Sequence, residues 1–201
     1  MKNIFVISVL SILTVACGKD VKEDKKDGPD RGYSLLGIEN TVWERPCKAS
    51  EDKTRSAKRI LDLKQTSAIY SKIYFTGLDC LEENKRISYV RKHDKIMKEV
   101  SSELAGWDTF YFELSTYKAT VHRVRLLKFF NQYKRFGFSD WELSKSKEIS
   151  GLKWDADSEA EGKIGTIKSN TVLLEDDKLY FADYNDRQPI ADRTYFYTKR
   201  K

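Results

Sequence analysis

Residues 67–75, SAIYSKIYF, alternate in a way that only an extended chain can use. Ile69, Ile73 and Phe75 share one parity, and Tyr70, Lys72 and Tyr74 share the other. A strand points successive side chains to opposite faces, so this stretch predicts a strand packed on one side and wetted on the other. The parity of Ile69, Ile73 and Phe75 is the expected inward face. Similar alternation, or enrichment in β-branched and aromatic residues, marks residues 41–48, 57–64, 85–91 and 109–121. The period then changes. From His122 to Arg135, Val124, Leu127 and Phe130 recur near helical spacing, and Gly137 stands where a helix stop belongs. Strand-like segments return at 138–143, 165–169 and 194–199, along with a hairpin, TVLLEDDKLYFADY (171–184), whose turn falls on Asp176 and Asp177. About eight to ten antiparallel strands with one helix describe a mainly β chain, and closing them into a barrel removes the sheet edges.

The 201-residue chain opens MKNIFVISVLSILTVACGKD. Lys2 precedes an apolar run from Ile4 to Ala16 that stops at Cys17, the layout of a secretory signal peptide. The run is short for a bilayer span, which needs about 20 apolar residues. Its ending, LTVAC, resembles the bacterial lipobox, with Thr14 standing where that pattern more often has leucine. The resemblance implies cleavage before Cys17, acylation of its sulfur and a lipid anchor that needs no spanning helix; plain secretion is the alternative. No aspartate directly follows Cys17, which points to the outer membrane of a cell envelope. Residues 18–32, GKDVKEDKKDGPDRG, carry charge of both signs and one aliphatic residue, Val21, too little apolar surface to fold. The expected organisation is therefore a signal peptide over 1–16, a flexible charged tether over 17–33 and one barrel domain over 34–201.

The net charge is +6, from 37 basic and 31 acidic residues, and falls to +5 once Lys2 is removed with the leader. The excess is spread along the chain, and clusters such as KTRSAKR (53–59) and TKRK (198–201) are interleaved with acids. They read as solvated faces, with attraction to anionic lipid or glycan headgroups as the minority reading. With Cys17 acylated, Cys47 and Cys80 are left together in an oxidising compartment, where a disulfide is the economical reading.

Several spaced motifs resemble the small lipocalin-like lipoproteins of bacterial envelopes. Trp43 and Cys47 match a G-x-W-x-x-x-C-type first strand. "YFTGLDC" (74–80) matches a tyrosine-rich strand followed by an Asp-containing turn and a second cysteine. "LLKFFNQYKRFGFSDWELSKSKEISGLKWD" (126–155) is similar to that family's helix, C-G-[FY]-[ST]-D-W and G-x-x-C-D segments, and "DDKLYFADYNDRQPIADRTYFYTK" (176–199) to its closing strands. Where that family tends to carry a second cysteine pair, this chain has Phe136 and Trp154, so aromatic packing is expected in place of a crosslink. Gln188 splits the family's R-P dipeptide between Arg187 and Pro189. The resemblance implies a lipocalin-like barrel, with Trp43 as the plug of its closed end on the same strand face as Cys47.

Chemistry-bearing constellations are sparse. Histidines number two, His93 within RKHDK and His122 at the helix start, and both are expected at the surface. No nucleophile elbow, phosphate loop or zinc-ligand spacing occurs. The acidic pairs Glu82 and Glu83, Asp155 and Asp157, and Asp176 and Asp177 sit in turn-like contexts. Gly137, Asp140 and Trp141 are expected to form a structural corner in which the Asp140 carboxylate accepts backbone N–H bonds. Aromatic residues make up 12% of the chain, enough either to fill a barrel or to line a cavity in one. The candidate cavity residues are Trp43, Ile73, Phe75, Tyr89, Phe110 and Phe112. The expected function is non-enzymatic: binding or shuttling a small hydrophobic or amphipathic ligand at the envelope. The alternative is a solid barrel that meets an envelope protein or glycan through its loops. The expected partners are thus the bilayer through acylated Cys17 and a small apolar ligand, with no cofactor, metal or nucleic acid.

Overall fold

The computed structural model describes residues 38–98, 106–160, 162–185, 188–190 and 196–200. The expected signal peptide, Cys17, the tether and Arg187 lie outside them. In chain order the strands are β1 (Thr41–Ala49), β2 (Arg55–Leu63), β3 (Ser67–Thr76), β4 (Lys85–Lys98), β5 (Asp108–Val121), β6 (Ser146–Glu148), β7 (Ile167–Glu175), β8 (Lys178–Phe181), β9 (Asp183–Asn185), β10 (Gln188–Ile190) and β11 (Phe196–Lys199). The helix α1 (Val124–Gln132) follows β5. Eight antiparallel strands close a barrel in the order β4, β3, β2, β1, β11, β8, β7 and β5, with β5 pairing back onto β4. Strand β6 lies outside the ring on the far half of β5, and β9 and β10 form a separate hairpin.

The last strand closes on the first through Trp43 opposite Lys199 and Glu44 opposite Thr198. Pro46 then interrupts the ladder, because it has no N–H to donate. The β1–β2 register slips by one residue between Arg45 and Lys48. The slip carries Cys47 off the face occupied by Trp43, contrary to the expectation that the two share one. Trp43 points inward and is 2% exposed, whereas Cys47 is exposed and bonded to Cys80, with the two Cα atoms 5.9 Å apart. The expected disulfide is present.

The largest departure from expectation concerns SAIYSKIYF. Ala68, Tyr70, Lys72 and Tyr74 face the barrel interior, so Ile69, Ile73 and Phe75 face outward. Phe75 is nevertheless only 1% exposed. It stands opposite Ser56 on β2, and the backbone N–H of Cys80 donates to Ser56 Oγ, which brings the disulfide-tethered turn over this patch of the outer wall. Buried apolar parity on this strand therefore marks an external satellite under a loop, not the barrel core.

Two clusters form the core. At one end, Trp43, Leu61, Leu63, Phe110, Val172 and Leu179 pack together with Ile38 and Tyr197. At the other, interior residues of β4 and β5, including Ile87, Ala119 and Val121, pack against Phe130 of α1, Phe136, Trp141 and Ile149. The Phe130 ring is wholly buried, edge-on to Trp141 at 5.2 Å and to Trp154 at 5.1 Å. Phe136 and Trp154 meet edge to face at 5.2 Å, the aromatic contact expected from the sequence.

The corner after the helix is built differently from expectation. Residues 138–143 form no strand. Asn131 of α1 accepts from the Trp141 backbone N–H at 2.6 Å and donates to the Trp141 carbonyl at 3.0 Å, pinning the chain as a strand neighbour would. Trp141 is buried there, and Gly137 takes a left-handed φ of 80° at the end of a short 3₁₀ turn. Asp140 instead lies exposed and pairs with Lys147 at 2.9 Å, and that bond holds its carboxyl below the usual range.

The β7–β8 turn falls on Asp176 and Asp177 as expected, with φ of 50° and 57°. Left-handed backbone at both central residues costs L-residues about 1 kcal/mol each and favours Asn-Gly. The double substitution Asp176→Asn with Asp177→Gly should raise stability by about 1 kcal/mol, read as a higher urea midpoint at unchanged m-value. An unchanged midpoint would show that the turn is not strained.

Candidate ligand-binding cavity

The barrel interior is not filled from end to end. Three adjoining cavities of about 420, 610 and 1570 Å³ share walls along it. The smallest lies above the Trp43 end and is bounded by apolar side chains such as Leu61, Ile96, Phe110 and Leu179. The largest opens between the upper ends of β2, β3 and β4 and the helix, with Tyr74, Tyr89, Tyr117 and Phe130 on its walls. Both fall within or above the range of small-molecule sites, about 300–1,000 Å³.

What divides the lower cavity from the upper two is a belt of cations. Arg45, Arg59 and Arg91 each border the lower cavity and one of its neighbours, and Lys72 borders both upper ones. The strand registers explain the belt. Arg45 follows Trp43 by two residues and Arg59 precedes Leu61 by two, so both share an inward parity with core positions. Arg45 stands opposite Arg59, Arg59 opposite Lys72, and Tyr70 opposite Arg91, which places four cations on four consecutive strands. Like charges directly opposite one another on a sheet face are destabilising. Among the described residues, no aspartate or glutamate lines any of the three cavities. Acids instead meet lysines elsewhere, as in Lys58–Glu44 at 2.6 Å and Lys95–Glu113 at 2.8 Å.

Aromatic rings temper the belt. The Arg91 guanidinium lies 4.3 Å from the centre of the Tyr117 ring, and the Lys72 ammonium 4.8 Å from that of Tyr74. Tyr89 bridges Tyr74 and Tyr117, with centroids 6.1 Å from each. Such contacts stabilise a partly desolvated cation by about 0.5–2 kcal/mol. Arg59 also hydrogen-bonds the Tyr197 hydroxyl, yet burial, with Tyr70 adding to it, pushes that phenol up to about 12.

His93 turns inward on the same parity as Tyr89 and Arg91, so it is not the surface residue expected from its charged sequence neighbours. Its ring meets Phe112 edge-on at 4.6 Å, and its buried Nδ1 makes no hydrogen bond among the described residues. Burial first, then Arg91 and Lys168, pulls the imidazole down to about 4, against the weaker pull of Asp94. The unfolded chain, with an ordinary value near 6.5, therefore binds a proton that the folded protein refuses. Stability contributed by neutral His93 is complete above about pH 6.5 and is lost as pH falls from there toward about 4. Denaturant titrations at pH 7 and 4.5 should show a smaller loss for His93→Gln than for the wild-type protein; equal losses would place the pH sensitivity elsewhere. His122 is half-buried, with a ring nitrogen 2.9 Å from Ser88 Oγ, and burial lowers its pKa as well.

Of the six candidate cavity residues, Tyr89, Phe110 and Phe112 line the cavities. Trp43 faces the same interior and closes the base of the apolar cluster. Ile73 and Phe75 do not, because the parity of β3 is the reverse of the expected one. The residues that sequence reasoning missed are the cations and the tyrosines facing them. Their signal was the spacing from Trp43 to Arg45 and from Arg59 to Leu61, which puts a charge two residues from a core position. Among the described residues no group of three His, Cys, Asp or Glu could hold a metal ion, and no helix is long and apolar enough to cross a membrane. Comparison of the chain with protein-family models and with curated proteins finds no match.

Proposed function

We propose that this protein is a non-enzymatic carrier or receptor that holds a small amphipathic molecule inside its barrel, tethered to a cell-envelope membrane through acylated Cys17. The observation that carries the reading is the hollow interior. The apolar parity of β3 is turned out, with Phe75 covered, while the tyrosine-bearing parity is turned in toward the adjoining cavities. A barrel evolved only as a rigid interaction module has no need to spend interior volume this way, since an unfilled core forfeits packing contacts. The anchor is supported by the LTVAC segment and the charged stretch behind it. It predicts incorporation of labelled palmitate that is lost in Cys17→Ser.

Binding is tested with the uncharged fluorophore N-phenyl-1-naphthylamine. Saturable uptake is expected, at least tenfold weaker in Phe112→Asp, where a half-buried wall residue becomes charged, and unchanged in Ile73→Asp on the outer wall. Thermal melts of both variants control for folding. Equal effects of the two substitutions, or no uptake by the wild-type protein, would rule the cavity out as the site.

A further inference from the structure

We infer that the exposed face of α1 docks on an anionic phospholipid surface and so sets the mouth of the largest cavity against a bilayer, where ligand passes between membrane and barrel. The docking stands on the helix itself, and the passage of ligand rests on the cavity reading above. The helix buries one side only. Phe130 is wholly buried, and Leu126 and Leu127 pack against the same core cluster. Successive helical residues turn by about 100°, so Val124, Arg125, Lys128, Phe129 and Gln132 fall together on the other side, with Tyr133 continuing that face. All six are exposed, Val124 by 55% and Tyr133 by 54%. The Phe129 and Tyr133 rings, one turn apart, meet at 4.8 Å and form an aromatic knob at the surface. A single exposed apolar residue is ordinary, but an aromatic pair and a valine on one face, interleaved with basic residues, match the composition of helices that lie in a membrane interface.

Charge selects the occupant. From Ser115 to Ser139 the chain has six lysines and arginines and no aspartate or glutamate. Of these, Arg125 and Lys128 are exposed on the helix face and Lys134 just beyond it. Arg135 pairs with Asp155 at 2.6 Å and lies 5.0 Å from the Phe129 ring centre and 5.7 Å from that of Tyr133, which braces the aromatic pair. Long basic side chains lay their stems along apolar surface and carry their charge to the phosphate level, so bases and rings on one face fit a negatively charged lipid surface. A second copy of the chain would bring the same basic face and repel it. The helix also borders the largest cavity, with Val124, Arg125, Leu126 and Phe129 on its wall, so a docked helix leaves that opening at the bilayer. The neighbouring turn extends the rim. Arg123, at the helix start, donates to Asn84 Oδ1 at 3.1 Å and to the Glu83 carbonyl, and the Asn84 N–H donates to the carbonyl of exposed Leu81 at 2.9 Å. That turn also holds Glu83 and Glu82, the latter paired with Lys85 at 2.9 Å, so it adds apolar surface while the basic excess belongs to the helix.

The test reads the helix directly, whatever else holds the chain to a vesicle. Tryptophan is introduced at Tyr133→Trp on the docking face and, as a control, at Ser169→Trp on the exposed outer wall of β7, and the emission of the four native tryptophans is subtracted from a wild-type record. Vesicles of brominated phosphatidylcholine are used with and without phosphatidylglycerol. On the anionic vesicles the emission added by Tyr133→Trp should be quenched and that added by Ser169→Trp should not. Without phosphatidylglycerol the docked fraction should fall about tenfold, the effect of losing the attraction of a few basic residues to the surface. Arg125→Gln with Lys128→Gln should cut the quenching on anionic vesicles to that same level, at an unchanged melting temperature. The comparison of the two vesicle types decides the matter even if this double variant does not fold. Equal quenching on both vesicle types, equal quenching at the two sites, or none at either would overturn the inference. So would an emission shift of Tyr133→Trp that grows with protein concentration in the absence of vesicles, which would assign the face to a second copy of the chain. Uptake of N-phenyl-1-naphthylamine, measured without vesicles on the same preparations, separates the two readings. Uptake without docking overturns this inference and leaves the cavity reading standing; docking without uptake keeps the docking face and removes the cavity.

Discussion

Trp43→Ala is expected to lower the unfolding free energy by about 3–5 kcal/mol, the range for removing a fully buried large aromatic side chain. A typical domain has only about 5–15 kcal/mol to lose. Trp43 is among the largest side chains with almost no exposure, packed with Leu61, Leu63 and Leu179 at the end of the barrel where β1 meets β11. The indole is also fixed at its polar end. Its Nε1–H donates to Thr41 Oγ1 at 2.7 Å, and Thr41 in turn donates to the carbonyl of Ile38. Truncation would open a cavity and leave the buried Thr41 hydroxyl without its donor. Because Trp43 packs with Leu61 and Leu179, which wall the smallest cavity, the same substitution should enlarge that cavity as well. Urea denaturation followed by far-ultraviolet circular dichroism measures the first effect. A loss below 1 kcal/mol would mean that Trp43 does not close the barrel.

Removing the crosslink in Cys47→Ala with Cys80→Ala is expected to cost about 3–4 kcal/mol by releasing a loop of 33 residues in the unfolded chain. The bond does more than restrain the unfolded state. It holds the turn after β3 against Ser56 and Phe75, so without it the outer-wall patch gains access to water. The loss should therefore be joined by faster amide exchange at Ser56 and Phe75, while residues around Trp43 keep their protection. Uniform loss of protection over the whole barrel would contradict a local role for the turn.

Much of this architecture was legible in the sequence, for identifiable reasons. Strands β1, β2, β3 and β5 start and end within about two residues of where alternation placed them, because each has one clearly apolar parity or a dense β-branched and aromatic content. The helix announced itself by a change of period and the disulfide by the cysteine count. Strand β4 runs on to Lys98, well past Arg91, because its charged second half still has β5 to pair with: Asp94 opposite Glu113 and Met97 opposite Tyr111. Side-chain polarity hides such a partner, which contributes backbone hydrogen bonds whatever the side chains are. The segment 138–143 looked like a strand because Phe138, Trp141 and Leu143 make it rich in large apolar side chains. It became an irregular corner because Asn131 supplies the hydrogen bonds.

The site was harder to read because its defining choice runs against pattern. Alternation tells which residues share a face, and hydrophobicity ordinarily tells which face is inside. In β3 the inward face holds Tyr70, Lys72 and Tyr74, since the interior is a polar-walled cavity, and the outward Phe75 finds cover under the disulfide-tethered turn. Only the cross-strand registers expose this. Once Trp43 is inside, Arg45 must be inside, and Arg59 and Lys72 follow as its neighbours on β2 and β3. The interior of this barrel is thus specified by strand pairing, a long-range property that local composition does not carry.

Native mass spectrometry of the protein, purified without exchange into detergent, tests whether the barrel is a container. A species heavier than the polypeptide by the mass of one small amphiphile is expected, released on denaturation and replaceable by N-phenyl-1-naphthylamine. A bare polypeptide mass, unchanged after incubation with that probe, would contradict it.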